Sequence, residues 1–403
     1  MAENNLNKVM AGRRRIYTNQ EAITRENVLT VLQESLKTHE ENVREIQYLE
    51  DFYLGKQEIS RTIGNDVGEA DNRLVLNFAQ TIVRDIVGYT FGKDIEYIAN
   101  KETYVKDVET ICNSLRYENA SLIDVKTANY LSICGVGYQI VLQGKDFADP
   151  SPEIGISIDN LKPQNTFAVH SYAMGNPIIM TCNYAKIDNA STIYYVYTDD
   201  TEFVITANGD EYEIKEKKHL LGGNPISYFE NNEFLTGDFE TVLSLLDAIN
   251  KVSSDSVNDV ENFVHSLLVF TNASLGENDV EKKKTLKSIK ENRTIELLSP
   301  KGLPCDAKYI ANQLNPQSVK ELREHLEETL WKIVGMPDRK TRGGGGGDTG
   351  DAVKLRDGWA DIEVVARQKE KYFSNGKRNV LRIVINLLKK AKMVSEDLKL
   401  YNV

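Results

Sequence analysis

Residues 121–142 read SLIDVKTANYLSICGVGYQIVL, and the change of pattern inside this stretch decides the fold. Residues 121–133 are read as a helix. After Gly135 and Gly137 the chain switches to Tyr138, Ile140, Val141 and Leu142, a short run of aromatic and β-branched residues that reads as a strand. Helix precedes this junction and strand follows it, so the chain is predicted to be α+β, mainly helical.

Working back toward the N-terminus, residues 1–65 are polar and charged with helical spacing. Val28, Leu29, Leu32, Leu36, Val43, Ile46 and Leu49 form the apolar stripe of an amphipathic helix. Phe78, Ile82, Val83, Ile86 and Val87 share the face of another over 77–87, which Gly88 and Gly92 are expected to break. A further helix is expected over 104–115. Working forward, strands are expected at 138–142, 154–158, 166–169, 178–184, 192–198 and 202–206. Asn208-Gly209, between Phe203-Val204-Ile205-Thr206 and Glu211-Tyr212-Glu213-Ile214, predicts a hairpin. These strands are expected to make one small antiparallel unit.

From Gly237 helix returns. Val242, Leu245, Leu246, Ile249, Val252, Val257, Val260, Val264 and Leu267 follow a period near 3.5 over about 30 residues, or roughly 45 Å at 1.5 Å per residue. Its charges are acidic, Asp247, Asp255, Asp259 and Glu261 among them, against Lys251. Such a helix either packs on the core of a compact domain or, in a ring of copies, packs on neighbours and turns its acidic side to a channel. Short strands are expected at 294–298 and 308–310. Residues 281–301 carry net +4, including Lys282, Lys283, Lys284, Lys287 and Lys290; the run is either a solvated face or a docking surface. Ser318 with Glu321 predicts a capping box opening a helix with Val319, Leu322, Leu326, Leu330 and Ile333 on its apolar face. That helix stops at Gly335-Met336-Pro337. Five glycines (343–347) follow Arg339, Lys340 and Arg342 in a loop of high conformational freedom. A last long helix is expected over 351–390, with a possible kink at Asn375-Gly376. Residues 367–392 hold nine basic residues and one acidic, net +8. The run is expected either to face DNA or to pair with acidic surface of the chain's own copies. The second is favoured because an acidic chain must offset its own repulsion when many copies meet.

With 403 residues, 41% of them hydrophobic, the chain has room for two or three domains. A net charge of -11 argues against wrapping tightly around nucleic acid and suits a surface that DNA slides past. Cys112, Cys134, Cys182 and Cys305 are scattered without metal or redox spacing and read as reduced thiols. No signal peptide and no membrane-spanning run is legible, so a cytoplasmic protein that is later built into an assembly is expected.

Catalytic patterns are missing. The glycine run has no Lys-Ser/Thr behind it, and Gly88-Tyr89-Thr90-Phe91-Gly92-Lys93-Asp94 is one residue short of a P-loop, with a carboxylate where the metal-binding hydroxyl belongs. His39, His170, His219, His265 and His325 are isolated from one another. No nucleophile elbow occurs. No cofactor, no metal site and no enzyme activity are expected.

Three stretches together resemble the portal proteins of tailed bacteriophages, in the family found in long-tailed phages of Gram-positive hosts. The first is Tyr48-Leu49-Glu50-Asp51-Phe52-Tyr53-Leu54-Gly55 with Asp71-Asn72-Arg73-Leu74-Val75-Leu76-Asn77-Phe78 and Gly88-Tyr89-Thr90-Phe91-Gly92-Lys93-Asp94-Ile95, where the family often has proline in place of Asp94. The second is Asn224-Pro225-Ile226-Ser227-Tyr228-Phe229-Glu230-Asn231-Asn232 with Gly237-Asp238-Phe239-Glu240. The third is Val334-Gly335-Met336-Pro337, a glycine-rich loop, and Gly350-Asp351-Ala352-Val353-Lys354-Leu355.

The resemblance implies a ring subunit: an α/β wing (1–235), a first stem helix (236–271), a small α/β clip (272–317), a second stem helix (318–334), a tunnel loop (335–350), and a long helix with a short tail (351–403). A crown domain is expected to be short or absent. It further implies a virion structural protein at one capsid vertex, a homododecamer conducting double-stranded DNA during genome packaging and ejection. Partners would be other copies, the terminase large subunit, the major capsid protein and scaffold, and the head-tail adaptor, with no membrane. Another ring or shell component of a phage-like particle, or a nucleic-acid-processing enzyme, are the alternatives. Arg339, Lys340 and Arg342 would approach DNA; Asp247, Asp255, Asp259 and Glu261 would line the channel; Lys282, Lys283, Lys284, Lys287 and Lys290 would form the docking surface.

Overall fold

A computed structural model describes residues 12–61, 70–144, 156–188, 191–209, 211–264, 267–271, 306–310, 316–337 and 359–403, with residues 278 and 283. The chain divides into two units. One comprises Met1–Gln57, Asn77–Leu246 and Glu328–Val403; the other comprises Glu58–Leu76 and Asp247–Glu327.

In the larger unit, helix α1 (Val28–Tyr53) forms as its stripe predicts and buries Val28, Val31, Leu32, Ile46, Leu49 and Phe52. Three polar residues share that buried face, each with a structural reason. Ser35 is small. His39 Nε2 lies 3.0 Å from the Gln164 carbonyl, and burial lowers its pKa to about 4. Asn42 pairs with Arg14 as a strand would, accepting from its backbone N–H and donating to its carbonyl, both at 2.9 Å. That pairing guides the chain into β1 (Ile16–Thr18), a strand inside a region expected to be helical throughout.

β1 runs parallel to β4 (Thr166–Ser171) at the edge of a six-stranded sheet. β5 (Ile178–Lys186), β6 (Ser191–Tyr197), β7 (Thr201–Asn208) and β8 (Glu211–Lys218) continue it antiparallel. The expected hairpin is present, but the ladder closes with Asn208 opposite Glu211, and Gly209 takes a φ of 61°. β7 alternates buried and half-buried side chains, whereas edge strand β8 is almost wholly exposed and charged, a pattern that discourages strand addition. Phe167, Val169, Met180, Val196, Phe203 and Ile205 pack against α1.

The β region makes two sheets rather than one. β2 (Val136–Leu142) lies between β3 (Ser157–Leu161) and β9 (Ile226–Glu230), a strand the sequence did not announce. Helices α3 (Phe78–Phe91), α4 (Val105–Tyr117) and α5 (Ala120–Cys134) precede the sheet; α2 (Glu58–Arg61) belongs to the smaller unit. α3 passes straight through Gly88, since a single glycine weakens a helix without ending it. After α6 (Leu243–Val264) and α7 (Pro316–Val334), α8 (Trp359–Lys390) lays Val380, Ile383, Val384 and Leu387 into a core shared with Ile111, Leu131 and Phe229. Asn375-Gly376 produces no break. A Cβ on Gly376 would sit 2.5 Å from the Phe229 ring, so that glycine serves close packing.

α6 is shorter than expected: 22 residues, about 33 Å. Leu267 belongs to β10 (Leu267–Thr271), which pairs antiparallel with β11 (Asp306–Ile310) in the smaller unit. β-branched and aromatic residues crowd 267–271, and that local preference outweighs the continuing helical period. The expected capping box is absent, because α7 begins two residues before Ser318 with Pro316 at its start, where proline is tolerated; Glu321 instead accepts from Gln317 Nε2 at 2.7 Å. On the predicted stripe of α7 Leu330 is buried, but Leu322 and Ile333 are about half exposed. The expected strand at 294–298 lies outside the described residues.

Candidate functional site

Helix α6 carries the acidic positions, and from Asp247 onward it lies in the smaller unit beside residues 70–76. Asn250, Ser254 and Asn258 stand four residues apart on one face. Asn250 Oδ1 accepts from the Leu76 backbone N–H at 2.8 Å, Ser254 Oγ from Leu74 at 2.9 Å, and Asn258 Oδ1 from Asn72 at 2.6 Å. Four helical residues rise about 6.0 Å and two extended residues about 6.6 Å, so every fourth helix position meets every second amide of an extended strap. This seam went unread in the sequence, although a polar residue at each of three i, i+4 positions beside an alternating Asn-x-Leu-x-Leu stretch is a signal for it.

The strap sorts the four predicted acids. Glu261 accepts from Asn72 Nδ2 at 2.8 Å. Asp247 is half-buried, and desolvation together with nearby Glu58 raises its carboxyl pKa to about 6. Asp255 is exposed and Asp259 half-buried, and among the described residues neither has a hydrogen-bond or ion-pair partner. Asp255 and Asp259 thus stand one turn apart, Glu261 is tied to the strap through Asn72, and Asp247 lies near Glu58. Of the clip lysines, Lys283 is described and exposed. Lys282, Lys284, Lys287 and Lys290 lie outside the described residues, as do Arg339, Lys340 and Arg342.

The quoted motifs have structural work in the larger unit. Asn77 Nδ2 donates to the Tyr53 carbonyl at the end of α1 at 2.8 Å. Gly135, at φ 85°, faces the Leu235 carbonyl and Gly237 faces that of Ile133, each so closely that a Cβ would collide with backbone. Asp238 accepts from Asn231 Nδ2 at 2.9 Å and from Ser132 Oγ, and pairs with buried Lys369 at 2.8 Å. Lys377 is likewise buried against Asp124. Two of the nine cations in 367–392 thus neutralise carboxylates inside their own unit, which charge counting could not reveal.

Among the described residues no three His, Cys, Asp or Glu side chains converge as metal ligands, and no helix is long and apolar enough to cross a membrane. Cys112, Cys134 and Cys182 are free thiols; burial pushes Cys134 up to about 12, away from reactive thiolate. No curated protein matches the chain significantly. The family model described as phage portal protein, SPP1 Gp6-like, matches residues 32–402, from the first turns of α1 to the next-to-last residue. With that extent matched, and with the α+β architecture around it, the chain belongs to the SPP1 Gp6-like phage portal protein family.

Proposed function

We propose that many copies of this chain, about twelve, stand in a ring at one capsid vertex and form the channel for DNA packaging and ejection. The observation that carries the reading is the family match over 32–402. In this reading 1–235 are the wing and 272–317 the clip. α6 and α7 are stem helices, 335–350 form the tunnel loop, and 351–403 form the long helix and its tail. The ring docks the terminase and later the head-tail adaptor through the clip, with Lys282, Lys283, Lys284, Lys287 and Lys290 at that surface, and it meets the capsid protein and scaffold through the wing.

Apolar exposure supports the stem assignment. Val260 on α6 is 70% exposed, and Leu322 and Ile333 on α7 are 49% and 57% exposed. Such side chains on long helices gain by packing on neighbouring copies, at about 25 cal/mol per Å² buried. Asp255 and Asp259, free of partners among the described residues, repeated around a ring would give an electronegative wall. DNA beside it keeps its counterions and is not captured. Arg339, Lys340 and Arg342 would touch phosphates weakly and slow backward slippage.

Negative-stain microscopy of the purified full chain tests the ring. A roughly twelve-fold annulus with a central hole is expected, and isolated globular particles at micromolar concentration would overturn it. Replacing Arg339, Lys340 and Arg342 with alanine is expected to shorten the retained DNA; unchanged packaged length would remove the brake while leaving the ring.

A further inference from the structure

Once Lys369 and Lys377 are set aside in their buried pairs, five of the six remaining cations of α8 are ordered. At about 100° per residue, Arg367, Lys371, Arg378, Arg382 and Lys389 fall within about 60° of one another, on a stripe roughly 33 Å long. Arg367 is held by Glu363 at 2.5 Å, and Arg382 touches Asn379 Oδ1 at 3.4 Å. Among the described residues the charged side chains of Lys371, Arg378 and Lys389 have no hydrogen bond or ion pair, a costly alignment of like charge in an isolated subunit.

Beside the stripe lies a cleft of about 1480 Å³, between α8 from Glu363 to Leu381, the turn from Gly88 to Ile95, and the C-terminal Leu400, Tyr401 and Val403. Its floor is aromatic: Phe91 meets Phe373 edge-to-face at 4.7 Å. Tyr89, Ile95 and Tyr401 stand exposed among its lining. Small-molecule sites occupy about 300–1,000 Å³. This cleft exceeds that range and combines an apolar floor with a rim of mixed charge, Lys93, Arg367 and Arg378 beside Asp94, Glu363 and Glu370, which suits a protein surface carrying apolar anchors; the carboxylates such a surface brings would meet the stripe alongside. Duplex DNA offers phosphates for the stripe but no apolar group for the floor.

We infer that the cleft and the cationic stripe of α8 receive an acidic surface of a second copy of this chain. Charge complementarity names the occupant: with Lys369 and Lys377 paired to Asp238 and Asp124, residues 367–392 still carry +6 within a chain of -11, so the remainder of each copy carries -17. Copies of such a chain repel overall, and this stripe meeting acidic surface offsets that repulsion. The contact is heterologous, one patch meeting a different one, which is the type that closes a ring. The inference rests on the ring reading and identifies one face of its interface.

The test compares the full wild-type chain with Lys371→Glu/Arg378→Glu/Arg382→Glu by mass photometry across a concentration series, with circular dichroism as the check on folding. Wild type is expected to assemble, and the triple variant to need at least a tenfold higher concentration for half assembly. Wild-type assembly is also expected to weaken in 1 M salt. Should the triple reversal unfold, Arg378→Gln/Arg382→Gln is read by the same criterion. A folded variant that assembles at the wild-type concentration overturns this inference and leaves the ring intact. So does a variant that assembles normally but loses affinity for a short DNA duplex, which assigns the stripe to nucleic acid. Wild type that never assembles defeats the ring reading itself.

Discussion

Lys377 reaches back 253 residues along the chain to Asp124, its Nζ 2.6 and 2.8 Å from the two carboxylate oxygens, with both side chains buried. Gln139 Nε2 donates to the same carboxylate at 2.9 Å, tying β2 to the pair. The contact fastens α8 to α5. Removing one partner leaves a buried charge without its counterion, which costs roughly 3–5 kcal/mol, whereas removing both is far milder. Lys377→Met is therefore expected to destabilise the fold by that amount, and Lys377→Met/Asp124→Leu by much less than the sum of the single changes. Chemical denaturation in a double-mutant cycle measures the coupling; additive losses would show that the pair does not act as one.

Two helical glycines predict opposite signs for the same substitution. Nothing lies within 4 Å of a Cβ built on Gly88, in the interior of α3, so Gly88→Ala is expected to stabilise by about 0.5–1 kcal/mol through the unfolded chain's lost freedom. At Gly376 the added methyl meets Phe229 ring carbons at 2.5–2.8 Å, and overpacking of this kind costs roughly 1–3 kcal/mol. Thermal unfolding of the two variants side by side checks both signs. Equal shifts would mean that the Phe229 ring moves aside freely.

Periodicity made the elements visible where one side of a helix or strand faces the core. α1, α3 and the alternating β7 were legible for that reason. β1 was not, because three residues carry too little pattern and its pairing partner lies 153 positions away at Val169. The end of α6 was misjudged because Leu267 satisfies both the helical period and a strand that pairs with 306–310. Pairing of the basic run with acidic surface was expected from charge alone, but the individual partners were hidden: only the fold supplies Asp238 for Lys369 and Asp124 for Lys377. The acidic helix of the candidate site was legible as an acidic helix. Its sorting by the strap was not, since side-chain-to-backbone seams leave no apolar signature.

Stability is expected to depend on pH through Asp247. Its carboxyl is raised from 3.8 to about 6 by desolvation and by Glu58, so the folded state holds a proton that the unfolded state has already released. Stability from this group is complete below about pH 4 and is lost as pH rises toward 6. Asp247→Asn keeps the neutral form at every pH and is expected to flatten that part of the profile and to raise stability at pH 7. Denaturation midpoints of wild type and variant from pH 4 to 7 measure the difference, and parallel profiles would refute the assignment.

The strap makes a prediction of local stability. Its amides at 72, 74 and 76 are held by three side chains of α6, and removing one acceptor leaves a single amide to find water, about 0.5–1.5 kcal/mol per bond. Ser254→Ala is expected to speed hydrogen exchange at Leu74 by roughly 2- to 12-fold at 25 °C, the same energy expressed as a ratio. Asn250→Ala should do the same at Leu76. Because Ser254 Oγ also donates to the Asn250 carbonyl at 2.8 Å, as serines commonly do within helices, Ser254→Ala should leave α6 itself intact. Exchange that quickens along the whole of α6 as well as the strap would show that the two open as one piece. Exchange that quickens at Leu74 alone would identify the ladder as three separable bonds.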